Sequence, residues 1–87
     1  MVGYRRGQIK IVADMLEVGK EGTKKTHFMY RCNLSYKQLN KYLRMVLGAN
    51  LLEKVNNSDG FDVYRTTEKG YEFLRGMKHI DRMLNFP

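Results

Sequence analysis

Ile9, Val12, Ala13 and Leu16 recur at i, i+3, i+4 and i+7, a spacing that lines one face of a helix and predicts one over about residues 7–18. Gly19 and Gly22 predict its end. After the polar link KEGTKK, residues 26–32 read as a short second helix with Phe28, Met29 and Cys32 on its apolar side. Asn33 then tolerates the left-handed backbone of a sharp turn. Ser35 opens a third helix over about 35–48: S-x-x-Q to Gln38 is a capping-box spacing, and Leu34 supplies the apolar residue of a staple. Leu39, Leu43, Val46 and Leu47 carry its apolar stripe, and Asn50 is placed to be a left-handed residue after its end. Two helices joined by the tight Asn33-Leu34-Ser35 connection make a helix-turn-helix.

The pattern changes after Asn50. LLEKV and FDVYR are rich in strand formers and flank NNSDG, whose Asp59-Gly60 pair signals a two-residue hairpin turn, so about 51–66 forms a β-hairpin, or wing. From Thr67, which can cap, Phe73, Leu74, Met77, Ile80, Met83 and Leu84 return to helical spacing and predict a last helix over about 67–85. The expected fold is mainly α with a small β-hairpin, a winged helix-turn-helix in one domain spanning 1–87.

The runs NLSYKQLNKYLRMVLGANLLEK and YRTTEKGYEFL resemble archaeal winged-helix DNA-binding proteins, including the Sulfolobus ten-kilodalton chromatin-associated family, in which a leucine-serine-tyrosine helix start and a threonine-x-x-glycine start to the last helix recur. The resemblance covers nearly the whole chain. It implies binding of double-stranded DNA and, as in some members, dimerisation through the last helix. Asn50 stands where such sequences often have Gly, and the last helix is shorter than the coiled-coil helix of the chromatin proteins.

On a wheel with Leu39 at zero, Lys37, Lys41 and Arg44 fall at about 160°, 200° and 140°, opposite Leu43 and Val46, with Asn40 and Gln38 on the flanks. Lys and Arg suit phosphates and the acceptor edge of guanine, and Asn and Gln can pair with adenine, so this face has the chemistry of a recognition helix in a major groove. An ordinary solvated helix face is the competing reading. Tyr36, near 60°, and Tyr42, near 300°, lean toward the core, with their hydroxyls still able to touch a phosphate at the edge of the stripe. Arg5, Arg6, Lys24 and Lys25 are candidates for flanking phosphate contacts, or plain surface charges. The wing offers Asn56, Asn57 and Ser58, but Asp59 and Asp62 favour grazing the backbone over deep insertion.

Charge sharpens this picture. The net +7 lies wholly in residues 1–50, where ten Lys and Arg face three acids; residues 51–87 hold six of each. A one-sided basic region is the footprint of a polyanion binder. No apolar run suits a bilayer or a signal peptide, and the lone Cys32 forms no internal disulfide, which points to a cytoplasmic protein; the resemblance to chromatin-associated proteins implies that it is nucleoid-associated. His27, Cys32 and His79 lack metal-ligand spacing, and no phosphate loop or nucleophile motif occurs, so neither an enzyme nor a metal, cofactor or small-molecule site is expected. A chain of 87 residues buries only about 60–65% of its unfolded surface. Phe73, Met77, Ile80 and Leu84, at spacings of 4, 3 and 4, with Met83 beside them, form a seam that a homodimer would cover. Alternatively that seam docks another protein, making the domain an interaction module. Binding of single strands or RNA would require exposed stacking aromatics, which the wheel mostly assigns to the core.

Overall fold

The computed structural model describes residues 6–56 and 60–84. In chain order these form α1 (Arg6–Val18), a 3-10 turn (Gly19–Glu21), α2 (Lys25–Arg31), α3 (Tyr36–Gly48), β1 (Leu52–Asn56), β2 (Asp62–Thr66) and α4 (Glu68–Met83). The strands pair antiparallel from Leu52 opposite Thr66 to Asn56 opposite Asp62. Thr23 adds a single-residue bridge to the free edge of β2, exchanging both backbone hydrogen bonds with Tyr64 (2.9 and 2.8 Å). A helix-turn-helix followed by this hairpin and a closing helix is the winged helix-turn-helix fold.

All the elements meet in one core. Met15, Leu16, Phe28, Leu39, Val46 and Leu52 are almost fully excluded from water, and Phe28 packs edge-on against Tyr64 with ring centroids 6.2 Å apart. The buried stripe of α1 is rotated from the expected one. Met15 is fully buried, whereas Ile9 is 38% exposed and Ala13 only half-buried. The rotation follows from Gly19, on the same side as Met15, which sits flush against Leu52 and Thr66 and draws that face of α1 inward. Thr66 completes the contact by donating its buried hydroxyl to the Leu16 carbonyl at 2.6 Å.

Two helices end in the same way. Asn33 and Asn50 take positive φ of 56° and 63°, and in each case the next residue reaches back five positions: Leu34 N–H to the Met29 carbonyl, and Leu51 N–H to the Val46 carbonyl, both at 2.9 Å. This is the Schellman closure, in which a left-handed residue lets the chain satisfy orphan helix carbonyls and turn an apolar side chain back onto the helix. Leu34 and Leu51 are accordingly buried. At its other end α3 carries the expected capping box, with Gln38 N–H donating to Ser35 Oγ (3.1 Å) and Ser35 N–H to Gln38 Oε1 (3.0 Å).

The start of α4 is tied to the end of α3. Thr67 accepts from the Gly70 amide (3.0 Å) and donates its hydroxyl to the Asn50 carbonyl (2.6 Å), and its own N–H bonds the Leu51 carbonyl (3.1 Å). Lys69 Nζ reaches the Ala49 carbonyl at 2.8 Å. Two expectations need correction here. The pairing of Asn56 with Asp62 leaves a connection of residues 57–61, not a two-residue turn; Gly60 has the positive φ of 83° expected of it, and Asn57, Ser58 and Asp59 lie outside the described residues. The last helix ends at Met83, short of the expected 85: Leu84, its C-cap, leaves the helical conformation at ψ 1°, and Asn85 lies outside the described residues.

Gly70 marks the tightest approach between elements: a Cβ there would meet the Leu51 carbonyl and the Thr66 methyl, whereas nothing lies near Gly48. Gly70→Ala is expected to destabilise the fold by about 1–3 kcal/mol. Gly48→Ala, in the last turn of a helix, is expected to be neutral or stabilising by up to about 1 kcal/mol. Thermal and urea unfolding of the two variants against the parent checks the contrast.

Candidate nucleic-acid interface

Leu39, Tyr42, Leu43 and Val46 bury one side of α3, which leaves Lys37, Lys41 and Arg44 together and exposed on the other. The capping box holds one end of this helix and the Asn50 closure the other, so the basic face has a defined direction. Asn40 is half-buried on the flank. Gln38 is exposed, but its Oε1 is committed to the cap, so it presents only its amide N–H groups to a partner.

The electrostatics of this face differ from the rest of the domain. Among the described residues, ion pairs join Lys10 to Asp14 and Lys20 to Glu17 around α1, Lys54 to Asp62 and Arg65 to Glu53 on the hairpin, and Arg75 to Glu68 on α4. None involves α2 or α3. The reason is in the sequence: between Glu21 and Glu53 there is no acidic residue, while Lys24, Lys25, Arg31, Lys37, Lys41 and Arg44 all fall there. Arg31, exposed at the end of α2, is a further cation of this acid-free span that the wheel of α3 did not bring in.

The lysines at the start of α2 lean on aromatic rings instead of carboxylates. Lys24 Nζ stands 4.1 Å from the Phe61 ring centroid and Lys25 Nζ 5.3 Å from that of Tyr36. Tyr36 does not lean into the core as the wheel placed it. It is 64% exposed. A wheel has no axial coordinate: Tyr36 is the first residue of α3, and its Cα–Cβ bond tilts toward the N-terminus, past the end of the core. A hydrogen bond from the Asn40 side chain, and then the Lys25 charge, lower the Tyr36 pKa below its ordinary value. Tyr42, by contrast, is buried, with Lys41 Nζ 5.5 Å from its ring centroid.

Of the remaining candidates, Arg6 is the first residue of α1 and Arg5 lies outside the described residues. Exposed Tyr30 on α2 and Phe61 before β2 were not anticipated as surface aromatics. Cys32 is half-buried between helices, and burial, followed by the Asp14 charge, pushes its thiol up to about 11. Along α4, Leu74 is buried and Phe73 and Met77 are half-buried, but Ile80, Met83 and Leu84 are 46%, 71% and 56% exposed. No group of three potential metal ligands occurs among the described residues, and no helix there is long and apolar enough to cross a membrane.

The winged helix-turn-helix family profile matches residues 5–85, nearly the whole chain. The chain belongs to the winged helix-turn-helix family. This winged helix-turn-helix protein is 29% identical over 72 residues to an uncharacterized protein of the archaeon Methanocaldococcus jannaschii, a match covering 82% of this chain and 72% of the relative. Its fold is similar to that of Sso10a-2, a DNA-binding protein from Sulfolobus solfataricus, with a TM-score of 0.75 and 24% identity over 90% of this chain and 81% of the other. The resemblance to archaeal winged-helix proteins therefore holds in sequence and in fold.

The Tyr36 environment makes a direct prediction. Its phenol should ionise below the ordinary value of about 10, and Asn40→Ala should raise it back toward that value by removing the main hydrogen bond to the oxygen. Titration of the Tyr36 ring signals by NMR in parent and variant reads the shift.

Proposed function

We propose that this winged helix-turn-helix protein binds double-stranded DNA, acting as a transcriptional regulator or chromatin-associated factor, with α3 in the major groove. The observation that carries the reading is the face of Lys37, Lys41 and Arg44 on a helix held at both ends, inside a span of chain without a single carboxylate. An α-helix with side chains is about 10–12 Å across and the major groove about 12 Å wide, so α3 fits it with this face inward. Lys37 and Asn40, nearest the N-terminal end, would reach base edges. Lys41 and Arg44 would contact phosphates or guanine. Lys24, Lys25, Arg5 and Arg6 would neutralise the backbone on either side and fix register without reading sequence. The same fold in a protein described as DNA-binding supports this use of the surface. A cytoplasmic, nucleoid-associated location accompanies it.

Replacing Lys37, Lys41 and Arg44 together with Ala is expected to abolish duplex binding at physiological salt and leave the melting temperature nearly unchanged, since all three side chains are exposed. The parent should lose affinity steeply with salt, and the log–log slope should fall by about three in the triple variant. Gel shifts on random duplex DNA at several salt concentrations measure both. A folded triple variant with parental affinity defeats the assignment.

The second part of the reading is a homodimer through α4. Its support is the gradient along that helix, from buried Leu74 to exposed Ile80, Met83 and Leu84, with half-buried Phe73 and Met77 continuing the seam at heptad spacing. A twofold partner would cover these side chains and place two copies of α3 on one duplex. Sedimentation equilibrium should give twice the chain mass at micromolar concentration, and Ile80→Glu with Met83→Glu should return it to one chain. A parent that stays monomeric to about 100 µM removes the dimer, and the same seam then favours docking of a different protein.

A further inference from the structure

Between the start of α2 and β2 lies a groove of about 380 Å³, lined by Lys24, Lys25, Thr26, Phe61, Asp62 and Tyr64; the duplex reading uses its two lysines and leaves its aromatic wall without a role. That volume is within the range of small-ligand sites. Phe61 forms one wall. It is 54% exposed and belongs neither to the core nor to the apolar side chains packed on it, so the part of its ring that Lys24 does not cover is open to a ligand. Lys24 rests over that ring. Lys25 lines the same groove and also rests over Tyr36, a second exposed ring at the start of α3. Since both lysines line the groove and each rests over one ring, the four side chains run in the order aromatic, cation, cation, aromatic.

A duplex has little use for such a row, because its bases are already stacked on one another and show only their edges. Two exposed rings flanking a pair of cations match an unpaired strand, whose bases offer free π-faces and whose phosphates lie between them. The acidic group in the groove does not oppose this, since Asp62 is paired with Lys54 at 3.4 Å. Thr26 adds a hydroxyl able to donate to or accept from a base edge. We propose that this row binds single-stranded nucleic acid, with unpaired bases stacking on Phe61 and Tyr36 and the intervening phosphates on Lys24 and Lys25. The activity goes beyond duplex binding and needs neither Lys37, Lys41 nor Arg44.

Fluorescence anisotropy with labelled oligothymidylate and oligouridylate of about twenty nucleotides, alongside a random duplex of equal length, tests it at moderate salt. The DNA and RNA arms separate the two sources of the same chemistry; tight binding of either strand supports the proposal. Phe61→Ala and Tyr36→Ala should each weaken single-strand binding about ten-fold, the scale of one stacked base, and Phe61→Ala should leave duplex binding within about two-fold. Phe61→Trp keeps a stacking face and should retain single-strand binding, which separates loss of stacking from loss of fold. Failure of the parent to bind either single strand overturns the proposal, as does parental affinity in Phe61→Ala. Equal loss on single strand and duplex also overturns it, because Phe61 would then be a wedge in the duplex minor groove. Single-strand binding without duplex binding would leave this proposal standing and remove the other.

Discussion

The arrangement of this domain depends on two asparagines that hold a left-handed backbone, Asn33 and Asn50, each followed by a leucine folded back beneath the helix it ends. The conformation costs a non-glycine residue about 1–2 kcal/mol. Burying the following Leu, at about 1.5–3 kcal/mol for a full side chain, offsets that cost, and the backbone bond from its amide satisfies a helix carbonyl as well. The first closure turns the chain from α2 into α3. The second sets the direction from α3 into the hairpin, and because Thr67 binds the carbonyls of both Asn50 and Leu51, it also sets where α4 begins. Gly70 lets the two segments approach closely enough for those bonds to form.

Pinning α3 in this way has an electrostatic consequence. Its basic face and the start of α2 lie in a span of chain that has no carboxylate, none of the ion pairs among the described residues involves them, and Lys24 and Lys25 settle on aromatic rings. Such contacts are weak at exposed positions, about 0.5–1 kcal/mol, so they orient the ammonium groups in the free protein without competing seriously with a phosphate. The salt bridges seen elsewhere on the surface, by contrast, tie their cations to the domain itself.

Much of the fold is legible locally. Helices, caps, the Asn turns, the hairpin and the final helix depend on neighbours within a few residues, and the expected positions of Ser35, Gln38, Asn33, Asn50 and Thr67 agree with the structure. The basic face of α3 is legible for the same reason, since helical periodicity alone gathers Lys37, Lys41 and Arg44 opposite Leu39, Leu43 and Val46. What periodicity misjudges is anything set by the ends of elements or by contacts distant in sequence. Tyr36 has a core-leaning angle and an exposed position, because core depth ends before the first turn does. Met15 is buried and Ile9 is not, because Gly19 packs on Leu52 and Thr66, residues more than thirty positions away.

The sequence by itself therefore determined the elements, their order and the segregation of charge, because these follow from short-range periodicity, capping chemistry and the absence of acids between Glu21 and Glu53. Only the tertiary structure decided which aromatics face water and which cations they meet. Phe61 reaches Lys24, and Thr23 pairs with Tyr64, across about forty residues of intervening chain, and no local pattern encodes a meeting of that kind. It arises when the hairpin folds back along α2, and with it arises the row of rings and lysines beside the basic helix.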